Sequence, residues 1–125
     1  MSKYNNTKIE VDGIVFDSKK EAKYYKIFKD AAENGEISNL RRQVSFEIIP
    51  AVKRQVVKHL KTKDKLEERC VQRATHYVAD FVYTDPKTKL DVVVDVKSPI
   101  TRKNPVYILK KKMMLAFNNI EIVEM

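Results

Sequence analysis

The stretch Leu90-Asp-Val-Val-Val-Asp-Val-Lys-Ser98 constrains this chain more than any other. Side chains alternate across a strand, so Leu90, Val92, Val94 and Val96 share one face while Asp91, Val93, Asp95 and Lys97 share the other. The first face is all core and the second carries charge. A carboxylate and an ammonium beside so apolar a strand are costly to bury unless they pair or bind a metal. An ion pair between Asp95 and Lys97 on an edge strand is the simplest account of them.

The segment just upstream points to more than that. Residues 76–83 also alternate, with Tyr77, Ala79, Phe81 and Tyr83 on one face and His76, Val78, Asp80 and Val82 on the other. Thr84-Asp-Pro-Lys-Thr-Lys89 between the two runs is a turn by composition. A hairpin that sets Tyr83 opposite Leu90 brings Phe81 to Val92, Ala79 to Val94 and Tyr77 to Val96, an entirely apolar face. The same register sets Asp80 opposite Val93, diagonal to Asp95, whereas a one-residue slip splits the pattern. Two carboxylates and a lysine are therefore expected to converge.

With 125 residues the chain is expected to form one domain, 1–125, with a modest core and no need of staples. The single cysteine, Cys70, excludes an internal disulfide, and no run approaches membrane-spanning length or follows a signal-peptide pattern. The expectation is a soluble intracellular protein with no membrane partner. A net charge of +8 suggests a polyanionic partner, nucleic acid before membrane, since no basic amphipathic anchor stands out.

Met1 to Asn6 is polar and expected to fray. Asp12-Gly13 lies between two short apolar runs and predicts a hairpin, so residues 1–16 read as an N-terminal ribbon. Ser18 followed by Glu21 is a capping-box pattern, predicting a helix to about Asn34 that Gly35 ends. Tyr24, Tyr25, Phe28, Ala31 and Ala32 make its buried face, and Glu21 falls on the inward side. Helix chemistry by itself favours Glu21 as a cap; its place on the inward stripe narrows the margin over a site residue. Gln43-Val-Ser-Phe-Glu-Ile-Ile49 reads as a strand stopped by Pro50, with Gln43 as readily an ordinary strand residue as a cleft-lining one.

Residues 51–75 fit a helix through Val52, Val56 and Leu60, or a long hairpin arm, which is preferred. From Lys53 to Arg73 eight basic residues stand against three acidic ones, so most of the net charge lies in this insertion. Lys58, Lys61, Lys63 and Lys65 are its candidate phosphate contacts. Asn104-Pro105 predicts a helix start, with Val106, Leu109, Met113, Ala116 and Phe117 as the apolar stripe. Lys110, Lys111 and Lys112 run partly off that stripe; a solvated face accounts for at least one of them, while Lys110 and Lys112 are candidate nucleic-acid contacts. Asn118-Asn119 breaks the helix, and residues 120–125 close the chain as a strand.

The order helix, three strands, helix, strand, with an acid on the first helix, an Asp on the second strand and Asp-x-Lys on the third, resembles the PD-(D/E)XK nuclease superfamily. Glu21 matches its helix carboxylate, Asp80 its first motif Asp, and Asp95 with Lys97 the second half-motif. More narrowly, Phe16-Asp-Ser-Lys-Lys-Glu21-Ala22, Tyr77-Val-Ala-Asp80-Phe81-Val-Tyr83 and Asp95-Val-Lys97 resemble a group of small phage and prophage proteins catalogued as of unknown function. Four acid-x-Lys triplets occur, at Asp17, Glu21, Asp85 and Asp95, of which only the last is expected on a buried strand. One departure is Ala79, where the superfamily has Pro.

The resemblance implies an α/β domain with an αβββαβ, restriction-endonuclease-like core and a mixed sheet, bearing the N-terminal hairpin and the basic insertion. It implies a metal-dependent DNA endonuclease of phage recombination or replication, with Holliday-junction resolution among the activities, acting in the bacterial cytoplasm and open to homodimer formation. Mg²⁺ or Mn²⁺ suits the set, with Asp80, Asp95 and the Val96 carbonyl as a partial oxygen cage that phosphate and water complete. Lys97 would orient water or stabilise developing charge, and Glu21 would hold a further water or ion. The alternatives are a non-catalytic DNA-binding or replication-accessory module on the same fold, or a protein-interaction module. His59 and His76 with a lone cysteine do not suggest zinc, and two glycines, Gly13 and Gly35, leave no nucleotide-cofactor loop.

Overall fold

The structure, a computed structural model, describes residues 8–125; the segment expected to fray, Met1 to Asn6, lies outside them. The elements run β1 (Ile9–Val11), β2 (Ile14–Phe16), α1 (Lys19–Glu33), β3 (Ser38–Ile49), β4 (Val52–His59), β5 (Asp64–Gln72), β6 (Thr75–Thr84), β7 (Asp91–Asp95), α2 (Pro99–Arg102), α3 (Pro105–Asn118) and β8 (Ile122–Glu124). The molecule is mixed α/β. A four-stranded sheet ordered β3-β6-β7-β8 pairs antiparallel except for β7 with β8, which are parallel. Two two-stranded ribbons, β1-β2 and β4-β5, lie outside that sheet.

Local chemistry sets the first elements. Asp12 and Gly13 both take positive φ, 54° and 77°, as a two-residue hairpin turn between right-twisting strands demands. Ser18 caps α1 by accepting from the Glu21 N–H at 3.1 Å. At the other end Glu36 N–H reaches Ala31 O at 2.9 Å and Gly35 N–H reaches Ala32 O at 3.2 Å, a Schellman closure that uses Gly35 at φ 76°. Ala22 and Phe28 are the buried side chains of α1, with Tyr24 and Tyr25 partly covered.

Both faces of the sheet are covered. On one, Ala22 and Phe28 of α1 pack with Phe16, Phe81, Val94 and Val96; on the other, Tyr107 and Met114 of α3 pack with Ile48, Tyr77, Ala79, Val82, Val93 and Ile122. The expected single apolar face of β6 is therefore corrected. Tyr77 and Ala79 join the α3 side, while Phe81 and Tyr83 join the α1 side. β3 does the same, with Leu40 on the α1 side and Val44 and Phe46 on the α3 side. The pairs Arg42 with Phe81 and Val44 with Ala79 bracket the level where both strands change side, that of Gln43 and Asp80. Gln43 sits there at φ 50°, and a left-handed residue inside a strand turns the chain about its own axis, as in a β-bulge.

The β6-β7 register also differs from expectation. Tyr83 pairs with Val92 and Phe81 with Val94, two residues on from the expected partners. The loop explains the shift: Asp85 takes a Lys87 N–H on its carboxylate at 2.9 Å, its own N–H reaches Leu90 O at 2.9 Å, and Lys89 adopts φ 60°. Leu90 is thereby drawn out of the strand and left 68 % exposed rather than placed in the core.

β3 begins at Ser38, ahead of the expected Gln43, because pairing with β6 continues to Ser38 opposite Thr84 through polar residues without an alternating signal. α2 was not expected, although Ser98 caps it and Pro99 starts it. α3 starts as expected at Asn104-Pro105, but its stripe is corrected: Tyr107 and Met114 are buried, while Val106, Leu109 and Phe117 are 62 %, 56 % and 63 % exposed. Tyr107 and Lys111 both bind Glu124 of β8, which rotates the helix away from its most apolar side. Residues 51–75 form a hairpin arm, β4-β5, and not a helix.

Phe28 joins α1 to the sheet, its ring centroid 5.2 Å from that of Phe81 and 5.4 Å from that of Tyr83. Phe28→Ala should cost about 3–5 kcal/mol, read as a lowered urea midpoint with an unchanged slope. A midpoint within error of wild type would show that α1 is not held by this contact.

Candidate functional site

Two aspartates on neighbouring strands form the centre of the site. Asp80 and Asp95 lie next to the last β6-β7 ladder pair, Phe81 with Val94, and their carboxyls are close enough to interact. Asp80 is 9 % exposed and Asp95 fully buried. Asp80 Oδ2 accepts the Val96 backbone N–H at 2.9 Å, and Asp95 Oδ2 accepts the Tyr77 hydroxyl. Lys97 Nζ lies 3.2 Å from Asp95 Oδ1, an ion-pair contact at a fully buried carboxylate. Burial first, then the proximity of Asp80, pushes the Asp95 carboxyl up to about 7, against the lowering effect of Tyr77 and Lys97. Tyr77 is held far above the usual phenol range by burial and by its bond to Asp95.

Glu21 reaches this centre from α1. Its backbone N–H completes the Ser18 cap, but its carboxylate accepts from Gln43 Nε2 at 3.3 Å and lies 3.8 Å from Arg42. The Glu21 carboxylate thus does not close a capping box on Ser18 but faces Gln43 and Arg42. Gln43 Nε2 also lies 3.4 Å from Asp80 Oδ1, so one amide spans both carboxylates, and the left-handed backbone of Gln43 is what aims it there. Burial, and secondarily the charge of Asp80, raise the Glu21 pKa, while Arg42 opposes the rise.

These residues line a cleft of ≈ 410 Å³ walled by Ser18, Lys20, Glu21, Gln43, Asp80 and Lys97. Asp95 instead borders a second cavity of ≈ 380 Å³ with Tyr77, Tyr107 and Lys110, and Lys97 lines both. The Lys97 ammonium lies 5.7 Å from the centroid of the Tyr107 ring, and its carbonyl accepts from Lys20 Nζ at 3.1 Å.

Glu21, Gln43, Asp80, Asp95 and Lys97 are therefore brought together, and Lys110 stands on the flank. Val96 contributes its N–H to Asp80, a contact not expected from its candidate role through the carbonyl. Lys112 borders a third cavity with Leu115 and Glu121, apart from Lys97. Lys58, Lys61, Lys63 and Lys65 lie on the β4-β5 arm. Sequence reasoning missed Tyr77, Arg42, Lys20 and Tyr107. A tyrosine at the start of a strand reads as core, and only the register reveals its carboxylate partner.

Among the described residues no three His, Cys, Asp or Glu side chains form a ready-made metal cage, and no helix is long and apolar enough to cross a membrane. Residues 1–123 match a family described as "Protein of unknown function (DUF1064)". No curated protein and no solved structure matches the chain.

The Asp95 carboxyl generates a pH dependence. Its folded pKa lies above that of an unfolded aspartate, about 3.9, so the folded state holds the extra proton between the two values. Stability from this group is present below about 4, is lost as pH rises through about 7, and is flat above. Thermal melts in EDTA should show wild type losing stability between pH 5 and 7.5 relative to Asp95→Asn. Parallel profiles for the two proteins would overturn this account.

Proposed function

The chain belongs to the DUF1064 family, and we propose that it is a divalent-metal-dependent DNA endonuclease of the PD-(D/E)XK kind. The observation that carries the reading is the approach of Asp80 and Asp95 on adjacent strands beside the Phe81-Val94 pair, with Lys97 at an oxygen of Asp95 and Glu21 joined to Asp80 through Gln43. The element order α1, β3, β6, β7, α3, β8 supports it too, since it repeats the expected αβββαβ order with β4-β5 as the inserted arm. Two carboxyls this close and withdrawn from water are only partly compensated by Lys97, and a hard dication is what such a pair suits.

Asp80 and Asp95 would hold Mg²⁺ or Mn²⁺, which takes one or two carboxylates and leaves its other positions to phosphate and water, so a protein-only cage is not needed. When bound, the ion would neutralise phosphoryl charge and acidify water. Lys97 supplies a fixed ammonium for the charge that grows on the phosphoryl oxygens. Glu21 accepts a proton or orients water from the cleft wall, and its upward shift brings it toward the range of a useful base. Gln43 holds Asp80 and Glu21 in one arrangement, and Tyr77 and the Val96 N–H each fix one oxygen of Asp95 and Asp80 respectively.

Purified protein should cut at least one of four-way junction, flap, duplex and single-stranded DNA with Mg²⁺ or Mn²⁺, and none in EDTA. Lys97→Ala should lower turnover on the order of 10²–10³-fold with DNA affinity nearly unchanged, because its charge acts in the transition state. No cleavage of any substrate by wild type, with weaker binding by Lys97→Ala, would establish a DNA-binding module instead.

Glu21→Gln keeps the backbone bond to Ser18, so the melting temperature should hold while cleavage falls by about 10²-fold or more. Full activity in that variant would reduce Glu21 to a cap.

A further inference from the structure

The β4-β5 arm sorts its charges by face. From Lys53 to His59 its ladder is regular: Lys53 opposes Cys70, Arg54 Arg69, Gln55 Glu68, Val56 Glu67, Val57 Leu66, Lys58 Lys65 and His59 Asp64. One face carries compensated charge, with Lys53 3.6 Å from Glu68 and His59 2.8 Å from Asp64, beside the Val57-Leu66 pair. The other face stacks Arg54 against Arg69 and Lys58 against Lys65, four cations with Glu67 as its acid.

Like charges directly opposite on neighbouring strands are destabilising, and this ribbon sets two such pairs on one face. All four cationic residues are exposed. The ribbon lies outside the main sheet, so no packing requirement accounts for the arrangement. A polyanion laid along the face turns the repulsion into attraction.

We propose that the Arg54-Lys58-Lys65-Arg69 face of the β4-β5 ribbon docks on duplex DNA, entering the major groove and contacting phosphates on both of its walls. The ribbon's two strands lie about 5 Å apart, and a two-stranded ribbon fits the groove's width of about 12 Å. The two cation pairs are four residues apart, roughly 13 Å along the strand, so they meet separate phosphates and not a single one. The deep, narrow major groove of A-form RNA does not admit such a ribbon. Lys61 and Lys63 lie in the connection between the strands and not on this face. The inference names the DNA form that the proposed nuclease engages and rests on that reading for its purpose, but the contact is tested without cleavage.

Binding of the full chain to a fluorescent 24-base-pair DNA duplex is measured in EDTA over a range of salt. The comparison is wild type against the fourfold variant Arg54→Gln, Lys58→Gln, Lys65→Gln, Arg69→Gln. A control removes equal charge from exposed sites elsewhere, Lys8→Gln, Lys23→Gln, Lys26→Gln, Lys103→Gln. If all four ribbon cations touch phosphates, the log–log salt slope should flatten by about 3.6, and affinity at 0.1 M salt should fall on the order of 10³-fold. The control should lose less than about 10-fold, and the ribbon variant should melt no lower than wild type because it sheds two repulsive pairs. A loss no greater than the control's, or wild-type binding to single strands or RNA duplex as tight as to the DNA duplex, overturns the proposal. Ribbon-dependent binding by a protein that cuts nothing would retain the docking site and remove the nuclease reading.

Discussion

The contact between Asp80 and Asp95 sets the terms for the rest of the molecule. Two carboxylates this close repel, and here both are largely withdrawn from water, so their oxygens are given donors or a countercharge. Tyr77 and the Val96 N–H take one oxygen of each residue, Gln43 leans on a third, and the fourth lies beside the Lys97 ammonium. Burial, and then the neighbouring Asp80, shift the Asp95 carboxyl upward in spite of Tyr77 and Lys97. Stable apolar packing on both sides of the sheet keeps the pair in place.

That packing is arranged around a change of side. Along β6 the odd-numbered side chains pass from the α3 cluster, at Tyr77 and Ala79, to the α1 cluster, at Phe81 and Tyr83, across the Gln43-Asp80 level, and Val82 then takes the α3 side; β3 changes in the same way between Val44 and Leu40. A left-handed backbone at a glutamine costs on the order of 1–3 kcal/mol. In return Gln43 stands between Glu21 of the helix and Asp80 of the strand, so the strain lies where three elements of the site must meet. The same sheet turns Asp80 to one cavity and Asp95 to another, with Lys97 at the boundary.

The β4-β5 ribbon follows a different logic. A lone two-stranded hairpin is marginal in water, and nothing in its composition builds a core. Its regular register comes from ladder bonds, from the Val57-Leu66 pair and from ion pairs confined to one face. Like-charge pairs weaken the other face, so the arm is poised to gain from an anionic surface, whereas the central sheet is complete without one.

What was legible in the sequence was local. The Asp12-Gly13 turn, the Ser18 cap, the Gly35 stop and the Asn104-Pro105 start each follow from backbone chemistry within a few residues, and they fixed the order of helices and strands. Glu21, Asp80, Asp95 and Lys97 could be singled out because charge on an apolar strand or an inward helix stripe is anomalous wherever the strand lies. The register, the switch of packing side, the buried face of α3 and the roles of Tyr77 and Arg42 belong to the tertiary structure. Leu90 and Val106 are as apolar as any core residue, yet the Asp85 loop and the pull of Glu124 on α3 leave both in solvent. A sequence specifies which side chains must be hidden or compensated; which neighbour does the hiding is set by pairings between segments far apart in the chain, whose energies exist only once the strands have met.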